Sequence, residues 1–135
     1  MTEKQPEAVQ YAAGVVAVAA EVYRILGEGN IESVYENAMA VEFRRRGIPY
    51  AIENNVEVLY KGECVGMQRL DFVVGGVLAV ELKAVSKITS GHEAQTRAYM
   101  QTANFEEALI VNFPSPKQEE PQVKAIFREE KAAPG

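Results

Sequence analysis

The chain has 135 residues, 47% of them apolar and 24% charged, with 14 basic against 19 acidic side chains and a net charge of −5. That is one globular domain, long enough to hide roughly two-thirds of its unfolded surface, and it excludes wholesale disorder, collagen-like repeats and a disulfide scaffold. Cys64 stands alone, so it makes no internal bridge, and a reducing compartment suits the chain.

Residues 1–7 carry acids and a proline, unlike a signal peptide. The most apolar stretch, residues 12–20, is broken by Glu21 and reads as too short to span a bilayer. It is expected to pack against the domain, with no membrane partner and a cytoplasmic location. Val9, Ala13, Val16, Ala20, Tyr23 and Leu26 recur at helical spacing and predict a first helix over 6–26, with Pro6 in its first turn. Gly27, Glu28, Gly29 and Asn30 stop it. Asn30 can cap a second helix over 31–46, which Gly47 and Pro49 end. Ile31, Val34, Tyr35 and Ala38 form its predicted apolar stripe, with Glu32 and Glu36 one turn apart on the flank.

A strand-rich half follows. Residues 56–60 alternate, Lys61-Gly62 offers a turn, and residues 64–74 and 77–84 read as two more strands joined at Gly75-Gly76. Ser90, Gly91, His92 and Glu93 have capping-box spacing and open a third helix to about Asn104. Residues 108–113 are an apolar run of strand length. Residues 114–121 form a loop with Pro114, Pro116 and Pro121, and Val123, Ala125 and Phe127 alternate in a candidate edge strand. The expected order is α-α-β-β-β-α-β with a final β, in one domain over 1–128 followed by a tail over 129–135.

The chemistry turns on one hairpin. Residues 77–83 read Val-Leu-Ala-Val-Glu-Leu-Lys, an apolar strand with two charges on one face. Glu81 and Lys83 lie roughly 6–7 Å apart along it, and buried charges cost several kcal/mol each unless paired or bound to a metal. Asp71 lies on the preceding strand. A two-residue turn at Gly75-Gly76 would set Asp71 against Val80. A three-residue loop, Gly75-Gly76-Val77, instead pairs Leu70 with Leu82, Phe72 with Val80 and Val74 with Leu78 on one apolar face, and Asp71 with Glu81 on the other. The apolar pattern selects this second register, because a one-residue slip flips every side chain.

Two carboxylates with Cβ atoms about 5 Å apart repel unless one is protonated or a cation joins them. A hard divalent ion such as Mg²⁺ accepts a few carboxylates and keeps several waters. The acidic balance argues against a polyanion ligand, but acids that hold a cation reverse that sign. Metal, carboxylates and Lys83 together suggest phosphodiester hydrolysis.

Asp71, nine residues, then Glu81-Leu82-Lys83 resembles the D…ExK signature of the PD-(D/E)XK nuclease superfamily. Gly29-Asn30-Ile31-Glu32-Ser33-Val34-Tyr35 resembles the motif that names the GxxExxY protein family. Gln95-Thr96-Arg97-Ala98-Tyr99 is similar to the Q-x-x-x-Y motif of RecB-like nucleases. Asn30 stands where an aliphatic residue is usual, Glu28 where proline is usual, and Leu70 replaces the proline of the leading Pro-Asp pair. The resemblance spans about residues 11–113. It implies an α/β (α+β) restriction-endonuclease-like core, a mixed central sheet flanked by helices. It implies Asp71 and Glu81 as ligands of Mg²⁺ (or Mn²⁺), with the Leu82 carbonyl a third, and Lys83 as the catalytic lysine. Glu32 would be the extra acid facing the site, with Glu36 ranked second, and Gln95 and Tyr99 would line it. The implied partner is nucleic acid, with DNA the expected form. A homodimer suits duplex cutting, since a lone domain has one site.

Plainer readings stand beside these. Glu81 and Lys83 can form a strand salt bridge on a solvated face. Glu32 can be a first-turn acid, and Tyr99 a core residue. His92 reads as a first-turn residue rather than a general base. Arg44, Arg45 and Arg46 read as a solvated helix end, although they, Lys61, Arg69, Lys87 and Arg97 can touch phosphate. Cys64 reads as a packed thiol without a metal role. The alternative function is a nuclease-fold binding or assembly module that does not cleave.

Overall fold

The computed structural model describes residues 6–52 and 55–128. Helices α1 (Pro6–Leu26) and α2 (Glu32–Arg46) come first. Strands β1 (Tyr50–Ile52), β2 (Val56–Tyr60), β3 (Glu63–Gln68), β4 (Phe72–Val74) and β5 (Leu78–Lys83) follow. Helix α3 (Ser90–Ala103), β6 (Glu107–Asn112) and β7 (Gln122–Phe127) complete the chain. The tail expected over 129–135 lies outside the described residues.

The main sheet has the order β1-β4-β5-β6-β7. β5 and β6 run parallel through the α3 crossover, and the other neighbours are antiparallel. This is the mixed sheet flanked by helices that the resemblance implies, with β7 at one edge. Residues 64–74, expected as one strand, are two strands in different sheets. β3 pairs with β2 in a separate hairpin, and β4 starts only at Phe72, after a bend at Asp71. β1 was not expected. Three residues after Pro49 are too few to show alternation, and β4 supplies the pairing that makes them a strand.

The hairpin register follows the apolar pattern: Phe72 faces Val80, Val73 faces Ala79 and Val74 faces Leu78. Its turn needs left-handed backbone at Gly75 (φ 62°) and Gly76 (φ 73°), and the Val77 N–H donates to the Val74 carbonyl at 3.2 Å. A Cβ at Gly75 would also fall 2.0 Å from the Tyr11 ring.

Both sheet faces are covered. Phe72, Val74, Leu78, Val80 and Leu82 pack with Tyr23 of α1 and Tyr35, Met39 and Phe43 of α2. Val73, Ala79, Ala108 and Ile110 pack with Tyr99 and Met100 of α3. Leu70, expected with Phe72 and Leu82, is buried in this second cluster instead. The bend at Asp71 takes it out of the strand alternation.

The helix faces are rotated from those expected. α2 buries Tyr35, Met39, Ala40 and Phe43, while Ile31 and Val34 are exposed. The large side chains at i, i+4 and i+8 offer the most apolar area, and they decide the face. α1 buries Ala8, Val15, Val18, Ala19, Val22 and Tyr23 and leaves Val9 and Val16 nearly half exposed. It is apolar on most sides, so periodicity alone could not choose. The Tyr23 hydroxyl fixes the choice, donating to the Pro114 carbonyl at 2.7 Å and accepting from the Gln118 N–H at 3.1 Å. Over Ala8–Leu26 this helix is long and apolar enough to cross a membrane by length and composition, which a reading that stops at Glu21 misses. In the fold its buried face belongs to the core.

Two caps also differ. Ile31, not Asn30, is the N-cap of α2, with no side-chain bond. Asn30 instead donates its backbone N–H to the Tyr35 hydroxyl at 3.3 Å. At α3 the capping box lies one residue earlier than expected. The Thr89 hydroxyl accepts from the His92 N–H at 3.2 Å, and His92 Nδ1 accepts from the Thr89 N–H at 3.0 Å. His92 is thus a first-turn residue, as read. Cys64, expected to be packed, is exposed on the β2–β3 hairpin.

Candidate active site

The β4–β5 ladder ends at Phe72 and Val80, and charge begins there. Continuing the register brings Asp71 level with Glu81. The Asp71 Oδ2 accepts the Leu82 N–H at 2.7 Å, which sets its carboxyl beside Glu81. Glu81 and Lys83 project with Ala79 from one face of β5. Beside them on β6 lie Ile110 and Asn112. Asn112 is fully buried. Its amide accepts the Val85 N–H and donates to the Val85 carbonyl, each at 2.9 Å, and donates to Gln122 Oε1 at 2.9 Å. The chain leaving β5 is therefore fixed just after Lys83.

Helix α2 adds a third acid. The Glu36 Oε1 lies 3.6 Å from an Arg69 guanidinium nitrogen, and its carboxyl feels the charge of Asp71. Glu32, one turn earlier and exposed, acts on both Glu36 and Glu81 through its charge. The acid ranked second is therefore the more buried of the two and the one paired with Arg69. Its signal was the i, i+4, i+8 run of Tyr35, Met39 and Phe43, which turns that side of the helix inward.

The electrostatics follow from burial. The Glu81 side chain is 20% exposed. Its pKa is pushed up to about 8, first by burial, then by the charge of Asp71; Lys83, its ammonium 3.8 Å away, opposes the rise. Glu36 is raised too, by burial first and then by Asp71, with Arg69 opposing. Near neutral pH the surroundings of Glu81 thus favour its protonated form.

Gln95 and Tyr99 lie on α3, one turn apart. Gln95 is exposed, and Tyr99 is core, its ring stacked on Phe105 with centroids 6.3 Å apart. Arg44, Arg45 and Arg46 are exposed at the end of α2, where Arg44 donates to the Tyr50 hydroxyl at 2.7 Å.

Among the described residues, no set of three or more His, Cys, Asp and Glu is placed to hold a metal on side chains alone. A hard divalent ion still fits Asp71 and Glu81. Both offer oxygen donors, and a cation would offset the burial and the Asp71 charge that hold the Glu81 pKa up.

The sequence model of the PD-(D/E)XK nuclease superfamily matches residues 9–126. The chain belongs to that superfamily. This superfamily member is similar in fold to an alkaline exonuclease, LHK-Exo, from Laribacter hongkongensis: TM-score 0.53, 13% identity, 95% of this chain and 73% of that one. The same exonuclease in complex with dAMP gives TM-score 0.54 and 13% identity over 84% of this chain and 68% of that one. The solved structure of the protein SSO0001 gives 0.52 and 16% over 97% and 71%. No curated protein matches the chain significantly.

Proposed function

We propose that the protein is a metal-dependent nuclease that hydrolyses phosphodiester bonds of nucleic acid, with DNA the expected substrate. The carrying observation is that Asp71, bonded to the Leu82 N–H, stands beside Glu81 and Lys83 at the end of an otherwise apolar strand. Asp71 and Glu81, with the Leu82 carbonyl, would hold Mg²⁺ or Mn²⁺, and the bound ion would supply water activation and phosphate neutralisation. The Leu82 N–H holds Asp71 in place. Lys83 places a positive charge where negative charge grows on the phosphate in the transition state. Gln95, exposed on α3, and Tyr99 beneath it would border the substrate, and Glu32 would tune the acids through its charge. This reading includes the closer likeness to the GxxExxY family and to the Q-x-x-x-Y nucleases.

The test is cleavage of single-stranded, duplex and branched DNA and of RNA, with Mg²⁺, Mn²⁺ or chelator. Metal-dependent cleavage that Asp71→Ala abolishes supports the reading. Tight binding without cleavage under every metal would move the protein to the non-cleaving module.

A further inference from the structure

We propose that Arg69 forms a subsite for a phosphate flanking the scissile one, so that the acid row is bounded by two phosphate-facing cations. The proposal rests on the nuclease reading and deepens it. Five titratable groups stand together: Arg69 lies 3.6 Å from Glu36, Lys83 lies 3.8 Å from Glu81, and Asp71, bonded to the Leu82 N–H, acts through its charge on both acids. The group holds three acids and two cations.

The two ends differ in access. The Lys83 side chain is 17% exposed, set in the floor of the site, whereas that of Arg69 is 60% exposed. The Arg69–Glu36 separation is longer than a good hydrogen bond. The guanidinium carries five donors in a planar fork and so keeps capacity for an incoming oxyanion. On a strand whose reacting phosphate lies at Asp71 and Glu81, a neighbouring phosphate on the α2 flank would meet the repulsion of Glu36 and Glu32. A cation is needed on that flank, and Arg69 is the one that the acid row itself holds there. Arg44, Arg45 and Arg46 lie more than two turns further along α2 from Glu36.

A plainer role for Arg69 is to hold Glu36 as an exposed ion pair. The two roles differ in what the guanidinium touches once substrate is bound. Native protein, Arg69→Ala and Arg69→Lys would be compared in Ca²⁺-supported anisotropy binding and in single-turnover cleavage with Mg²⁺. The substrates are one short single-stranded DNA and versions with a single neutral methylphosphonate linkage at each position in turn. Arg69→Ala should weaken binding of the fully charged strand about tenfold and lower the salt slope by about 0.7. Its melting temperature should match the native one, and Arg69→Lys should recover part of the loss. Neutralising one linkage beside the cleavage point should cost the native protein a similar factor and cost Arg69→Ala nothing more.

An Arg69→Ala penalty that is the same on every neutral-linkage strand would show that Arg69 acts through Glu36, and would overturn the proposal. So would unchanged binding and cleavage in Arg69→Ala, with the nuclease reading left intact. Native protein that binds no strand overturns both. Native protein that binds without cutting, yet shows the linkage-specific loss, sinks only the nuclease reading.

Discussion

Residues 78–80 and residues 81–83 are the two halves of strand β5, and they occupy different surroundings. Leu78, Ala79 and Val80 are fully buried, paired with β4 on one side and β6 on the other. Glu81 and Lys83 keep the β6 partner, but β4 no longer continues opposite them, because the chain bends at Asp71. The ladder's end opens the space in which an acid pair and a lysine meet. The apolar half holds the register, and the register sets which carboxylates face each other. Apolar packing and clustered charge thus fall to neighbouring residues on one strand.

The largest effect separates the halves from the apolar side. Phe72 is fully buried, with edge contacts to Phe43 and Tyr50. Phe72→Ala should cost about 3–5 kcal/mol of stability, read by denaturant unfolding. Lys83→Ala tests the charged half. Single-turnover cleavage should fall by about a hundredfold, comparable with losing one oxyanion donor. The melting temperature should change little, and metal affinity should hold or rise, since a positive neighbour is removed. Unchanged cleavage in a preparation free of contaminating nuclease would show that the lysine is not part of the machinery.

The pH dependence is smaller and distinguishes burial from pairing. Glu81 is raised from 4.5 to about 8. A carboxyl with a raised folded pKa contributes stability in full below its unfolded value and loses it as pH climbs through the folded one. The metal-free protein should therefore lose several degrees of melting temperature between pH 6 and 9. Glu81→Gln should flatten that fall, and a saturating divalent ion should offset it by mass action. A native curve parallel to that of Glu81→Gln would place the titration elsewhere. The smallest effect lies outside the comparison. Thr89→Ala removes the α3 cap and should cost about 1 kcal/mol, with cleavage by the folded protein unchanged.

The hairpin register was legible in sequence because Phe72, Val74, Leu78, Val80 and Leu82 share one face only if Gly75, Gly76 and Val77 form the loop. The bounds of α1 and α2 were legible from Pro6, Gly27 and Gly47. The faces of those helices were not. α1 is apolar nearly all round, and in α2 the face is settled by packing on the sheet, as of Phe43 on Phe72, which local spacing does not contain. The same rotation explains why Glu36 is partly buried while Glu32 remains exposed. β1 and the division between β3 and β4 depend on partners distant in the chain. His92 took the capping role expected of Glu93 because the cap moved to Thr89.

The central claim is that Asp71 and Glu81 form a cation site, and a Mn²⁺ titration by calorimetry tests it most directly. Run at pH 7 in two buffers of different ionisation enthalpy, it should show one site on the native protein. Binding should release a proton, because Glu81, held near 8, is mostly protonated at that pH. Asp71→Ala and Glu81→Gln should each lose the binding, and with it the proton release. Native protein that takes up no Mn²⁺, or variants that bind as the native chain does, would contradict the claim.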